Sequence, residues 1–194
     1  MGKSRFPLKP TYNSPVILTF ALAACVIMAV DNLTGGRFTP RFFATYPGFD
    51  FANPLFYFHL VSHALGHKNW AHLTANFSVI LLIGPMIEEK YGSVPLIKMM
   101  LITALVTGLL NAALFSTGLL GASGLAFMMI LLASFTNHKE GELPLTFVLV
   151  VVLFLAKEVV NALAQDDISQ FAHIIGGICG GLFGYLRGGR RAGK

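Results

Sequence analysis

Apolar residues run along this chain in long blocks, and each block closes on charge or on turn-forming residues. The blocks cover about residues 15–30, 70–87, 94–115, 119–135, 143–163 and 168–186. A membrane-crossing helix needs roughly 20 consecutive apolar residues, so the pattern predicts six spans joined by short connections. The breaks are Gly92-Ser93 after the second block, Ser116-Thr117-Gly118 after the third, a polar stretch at 138–142 after the fourth, and Asp166-Asp167 before the last. The fourth block is short and opens on Gly121 and Gly124, and the fifth is interrupted by Lys157 and Glu158. No internal repeat or low-complexity tract divides the sequence. Residues 1–194 therefore read as one membrane domain, with a short tail at 1–14 and a basic tail at 187–194.

Composition narrows the class. Of 194 residues 55% are hydrophobic and only 12% charged, about half the charged share of a soluble domain. So little charge cannot cover a soluble core of this size. Two cysteines, Cys25 and Cys179, both inside apolar runs, exclude a disulfide-stapled secreted module. Disorder is excluded by the scarcity of polar sequence. An all-α polytopic membrane protein remains.

Basic residues set its orientation. With the N-terminus inside, the inner segments hold Lys3, Arg5, Lys9, Lys90, Lys98, Lys139, Arg187, Arg190, Arg191 and Lys194, against Arg37, Arg41, Lys68 and Lys157 outside. Both termini are then cytoplasmic. The net charge of +5 reads as a topology signal and not as a nucleic-acid footprint, since no basic stripe or aromatic platform accompanies it. Leu22-Ala23-Ala24-Cys25 imitates a lipoprotein cleavage site, but the apolar run continues through Val30, as a retained span would.

The connection between the first two spans, residues 32–68, is long for a compact membrane domain. It carries Phe38, Phe42, Phe43, Tyr46, Phe49, Phe51, Phe56, Tyr57 and Phe58 among Pro40, Pro47 and Pro54. Aromatic rings favour the headgroup boundary, so the segment reads as a structure half-sunk in the outer leaflet, with an ordinary outer loop as the alternative.

Polar groups inside spans are expensive and therefore informative. Gly121-Ala122-Ser123-Gly124 opens the fourth span. Glycines flanking a serine allow close helix packing, and equally let another backbone approach the Ser123 hydroxyl beside free helix-start N–H groups able to hold an oxyanion. His173, with Gly176 and Gly180 following on a nearly smooth helix side, is either a structural hydrogen-bonder or a general base for a serine. His63 and His67 approach the second span, where His72 and Asn76 share a face at i and i+4. This group could bind metal, tie the structure by hydrogen bonds, or present donors to an anion; the metalloprotease pattern H-E-x-x-H is absent. Glu88, at the inner end of the same span, is either solvated or accepts hydrogen bonds from the Ser93 loop.

Taken together, in this order and on these predicted helices, the motifs resemble the rhomboid intramembrane serine proteases in their bacterial six-transmembrane form. The residues that carry the resemblance are Gly121, Ala122, Ser123 and Gly124 for G-x-S-G; His173, Gly176 and Gly180 for H-x-x-G-x-x-x-G; His72 and Asn76 for H-x-x-x-N; His63 and His67 before that helix; and Glu88 with Gly92-Ser93 at its foot. The resemblance spans nearly the whole chain. It implies a six-helix bundle with a membrane-embedded loop between helices 1 and 2, in a bacterial plasma membrane. It implies a Ser123–His173 dyad, an oxyanion held by the Ser123 N–H with His72 and Asn76, a structural Glu88, and no metal or other cofactor. The expected partners are the lipid bilayer and single-span membrane proteins, cut near the outer boundary where Gly, Ala or Pro weakens their helices.

The sequence departs from the family at two points. Phe58-His59 stands where Trp-Arg is common in the loop, and Phe127 stands where many relatives have a tyrosine that packs on the catalytic histidine. Two rival readings follow from the same residues: an inactive rhomboid-like protein that binds membrane clients, and a small histidine-based metal or transport protein.

Overall fold

The computed structural model describes residues 10–136, 143–162 and 167–187; of 154–162 and 167–170 it describes the backbone. The sequence breaks at 138–142 and at Asp166, the basic residues Lys3, Arg5, Lys9, Lys139, Arg190, Arg191 and Lys194, and the side chains of Lys157 and Glu158 lie outside that description. The described residues form eight helices and one isolated bridge between extended segments. They are α1 (Pro15–Leu33), α2 (Phe38–Phe42), α3 (Pro54–Ser62), α4 (Trp70–Tyr91), α5 (Ser93–Leu114), α6 (Ser123–Ala133), α7 (Leu145–Ala162) and α8 (Asp167–Arg187).

Helices α1, α4 and α5 are each long and apolar enough to cross a membrane. Their outward faces are apolar, with Leu22, Val26, Leu82, Leu101 and Ile102 exposed, as a hydrocarbon solvent requires and water would not favour. The core they enclose is built from Ile17, Ala24, Ile80, Ile87, Leu96, Met128, Met129 and Leu132.

The long connection is structured. Helices α2 and α3 occupy it, and Phe49, Phe51, Phe56 and Tyr57 pack edge to face or stacked with ring centroids 5.4–5.9 Å apart. Asp31 accepts from the Thr39 N–H at 2.7 Å, joining the end of α1 to α2. Ser62 Oγ donates to the Phe42 carbonyl at 3.0 Å, joining α3 to α2. At the position of the departure Phe58-His59, His59 Nε2 donates to the Arg41 carbonyl at 3.0 Å and Phe58 meets the ring of Phe43.

The foot of α4 anchors the opposite end. Ser14 precedes α1 without capping it. The buried Glu88 carboxylate takes that place, accepting from Val16 N–H (3.0 Å), Ile17 N–H (3.2 Å) and Ser93 Oγ (2.7 Å). A helix N-terminus presents orphan donors and partial positive charge, which a carboxylate satisfies together.

The fourth apolar block differs from its expectation. The run at 119–135 becomes a helix only from Ser123, and α6 has 11 residues. At 1.5 Å per residue that is roughly 16 Å, about half a hydrocarbon core. Two long-range ties hold the preceding residues extended. Thr45 and Leu119 exchange backbone hydrogen bonds at 2.9 and 3.2 Å, and the Gly121 N–H donates to the His63 carbonyl at 2.9 Å. Gly121 has φ +125°, a conformation that side chains rarely adopt.

Candidate active site

Helix α6 carries Ser123 as its first residue, 9% exposed. The next residue, Gly124, is where α8 comes closest. A Cβ on Gly176 would overlap the Gly124 carbonyl oxygen, and would stand 2.7 and 2.9 Å from its C and Cα. One turn further along, a Cβ on Gly180 would overlap the Met128 carbonyl oxygen, and beyond it one on Gly184 would overlap the Phe135 ring. From the other side, a Cβ on Gly124 would stand 3.2 Å from the Ala172 carbonyl. The glycines of α8 therefore form a track in which α6 lies backbone to backbone, the two helices running in the same direction.

His173 follows Ala172 directly. The ring of Phe127 lies on the ring of His173 with centroids 4.2 Å apart and planes at 33°. Residues i and i+4 share a helix face, so Ser123 and Phe127 stand one turn apart on the face of α6 that meets His173. At the departure from tyrosine, the stacking ring is kept and the hydroxyl is gone.

Across from Ser123, the start of α4 supplies two donors. Asn69 caps α4, its side chain accepting from the His72 N–H at 2.8 Å. His72 and Asn76 project together at Gly121: a Cβ there would stand 2.9 Å from His72 Nε2 and 3.7 Å from Asn76 Nδ2. The Lys68 N–H reaches His72 Nδ1 at 3.5 Å. An Nδ1 that accepts leaves the proton on Nε2, the nitrogen facing Gly121. Asn76 is 9% exposed and, among the described residues, its buried Nδ2 has no hydrogen-bond acceptor. Two donors thus converge beside the helix start that carries Ser123.

The two upstream histidines hold the extended segment. His63 Nε2 donates to the Ala104 carbonyl at 3.0 Å. His67 Nδ1 donates to the Leu65 carbonyl at 3.2 Å, and its Nε2 accepts from the Ala122 N–H at 3.3 Å. Burial lowers both imidazoles to a pKa of about 4; for His67 the neighbouring His72 adds to the effect, and in each the hydrogen bond to a carbonyl opposes it. Both are neutral at pH 7. Among the described residues no three His, Cys, Asp or Glu side chains gather around a point that could hold a metal ion.

Sequence reasoning passed over Asn111 and Thr45. Asn111 on α5 is fully buried and donates from Nδ2 to Thr45 Oγ1 at 3.1 Å and to the Thr117 carbonyl at 3.2 Å. It ties the long connection, α5 and the segment before Ser123 into one unit. The signal was present: an asparagine near the end of an apolar run is as costly as the histidines.

The class these observations define is an integral membrane protein of packed helices, with a cluster of polar residues at one end of the bundle around the start of a half-length helix. Residues 55–190 match the sequence model of the Rhomboid domain. The chain is also 24% identical over 167 residues to the rhomboid protease GlpG of Haemophilus influenzae, covering 84% of this chain and 86% of that protein. This protein belongs to the rhomboid family.

Proposed function

We propose that this protein is an intramembrane serine endopeptidase with Ser123 as nucleophile and His173 as general base. The observation that carries the reading is the Phe127–His173 stack, one turn from Ser123 on the same face of α6. The family membership and the likeness to a rhomboid protease support it.

The chemistry follows the geometry. His173 takes the Ser123 hydroxyl proton as Oγ attacks a peptide carbonyl, and the new C–O bond turns the carbonyl oxygen into an anion. The Ser123 N–H, free because it stands in the first turn of a helix, receives that anion together with His72 Nε2–H and Asn76 Nδ2. His173 then delivers the proton to the leaving amine as the C–N bond breaks. Water attacks the acyl-enzyme by the same route in reverse. Gly121 and Gly124 admit the neighbouring groups, Gly176 and Gly180 set the distance between the helices, and His63, His67 and Glu88 hold the frame.

Six spans with both termini in the cytoplasm of a bacterial cell fit this reading, with the aromatic connection seated in the outer leaflet. Substrates are single-span membrane proteins. A substrate helix hides its carbonyls in its own hydrogen bonds, so cleavage falls where Gly, Ala or Pro lets it unwind near the outer boundary.

The test is labelling of the detergent-solubilised protein with a fluorophosphonate, which reacts only with an activated serine. The parent labels, Ser123→Ala and His173→Ala do not, and Asn76→Ala labels roughly 100- to 1,000-fold more slowly. A folded parent that takes no label, or a Ser123→Ala variant that labels equally, overturns the assignment in favour of a client-binding protein.

A further inference from the structure

We infer that Lys90 is a positioning residue for this reaction, setting the axial register of the helix that carries the nucleophile. The inference rests on the function proposed above. Lys90 lies in the last turn of α4, and its Nζ donates to the Phe135 carbonyl at 2.8 Å and to the Thr136 carbonyl. These carbonyls stand in the turn that follows α6, two and three residues beyond its last residue, Ala133. The Phe135 and Thr136 N–H groups close the end of α6 by donating to the Leu132 and Ala133 carbonyls at 3.1 and 3.0 Å, and the ammonium group holds that turn through its outward carbonyls.

The need for such a tie follows from the composition of α6. After Ser123 its sequence is Gly-Leu-Ala-Phe-Met-Met-Ile-Leu-Leu-Ala, without one polar side chain. On one side its backbone lies in the glycine track of α8, with the Phe127 ring on that of His173. On the other it packs against α4 through apolar side chains such as Met128, Met129 and Ile80. Dispersion between such surfaces is non-directional and resists a small axial slip weakly.

Helix α4 meets the α6 segment at both ends. At the outer end stand His72 and Asn76 beside Gly121, and at the inner end stands Lys90. The two ends are separated by the 11 residues of α6, roughly 16 Å at 1.5 Å per residue. The same rigid helix thus holds the oxyanion donors and fixes the far end of the helix that presents Ser123 to them. Loss of the inner tie leaves the register of Ser123 to the outer hydrogen bonds of Gly121 and Ala122 and so lets it shift relative to His72, Asn76 and His173. A misplacement of about 1 Å costs roughly 100-fold in rate.

The experiment compares Lys90→Met, which keeps the stem and loses the donor, with Lys90→Arg, which keeps a charged donor. The rate constant of fluorophosphonate labelling at Ser123 is measured per folded molecule, and kcat and KM are measured on a single-span substrate in vesicles. Lys90→Met labels and turns over 10- to 100-fold more slowly with KM within about twofold of the parent, and Lys90→Arg recovers most of the rate. A Lys90→Met protein that melts earlier but labels at the parent rate per folded molecule makes Lys90 purely structural and overturns the inference. If Lys90→Met does not fold, Lys90→Gln replaces it, and the same two rates decide. A parent that does not label refutes the proposed function itself, which separates that failure from this one.

Discussion

Replacing Gly176 by alanine tests the packing on which the site depends. Alanine favours a helix interior over glycine by about 1 kcal/mol, so on an open face the change would stabilise. At Gly176 the added Cβ stands 2.7 and 2.9 Å from the Gly124 C and Cα and overlaps the carbonyl oxygen. Carbon atoms pack at about 3.5–4.0 Å, so α6 and α8 must part by roughly 1 Å. The obstacle is backbone on both sides and no rotamer can relieve it. Overpacking of this kind costs about 1–3 kcal/mol, which offsets the propensity gain and leaves a net loss of up to about 2 kcal/mol. The larger effect is on chemistry, because the displaced residues adjoin Ser123 and His173, and a 1 Å shift lowers the labelling rate roughly 100-fold. Gly181→Ala is the control. Among the described residues its Cβ would meet only the end of the Phe147 ring, at 3.3 and 3.4 Å, a side chain that can rotate away. Both variants are labelled with a fluorophosphonate and melted in the same detergent. Gly176→Ala labelling at the parent rate, or Gly181→Ala suffering equally, would refute the argument that this glycine sets the distance between α6 and α8.

Two further outcomes follow from the frame around the site. Glu88→Ala leaves Val16 N–H, Ile17 N–H and Ser93 Oγ without their acceptor, a loss of about 3 kcal/mol or more; the midpoint of thermal unfolding in detergent falls, and a midpoint equal to the parent's would contradict the capping role. Acid destabilises the protein through His63 and His67, which are held near pKa 4 in the fold and return to about 6.5 when unfolded. The unfolded state binds the extra protons, so stability is complete above pH 6.5, declines as pH falls and levels off near pH 4, by about 3 kcal/mol per histidine. Denaturant titrations between pH 7.5 and 4 read the slope, and His63→Phe, which cannot titrate, removes its share of it.

Much of the molecule was legible in the order of its residues, and the reasons are local. A hydrocarbon solvent demands long apolar helices, so α1, α4 and α5 begin within a residue of where the apolar runs begin. The cost of polar groups in that solvent singled out Ser123, His173, His72 and Asn76 before any coordinates, and the fold brings His72 and Asn76 to Gly121 and lays Phe127 on His173. Glu88 was open between a solvated carboxylate and a tie to Ser93. The Ser93 bond is present, and α1, which no local pattern connects to Glu88, supplies two more donors.

What the sequence by itself determined is therefore the long apolar helices α1, α4 and α5 and most of the costly polar positions within the apolar blocks, because both follow from the free energy of each segment against lipid. Only the tertiary structure decided where α6 starts, since the Thr45–Leu119 pairing and the Gly121–His63 hydrogen bond pull the preceding residues out of the helix. It also decided which nitrogen carries the proton in His63, His67 and His72, through Ala104, Leu65, Ala122 and Lys68. The same holds for Asn111 joining three segments and for Lys90 reaching Phe135. These contacts join residues distant in the chain, and hydrophobic period carries no information about which distant carbonyl a buried donor will meet.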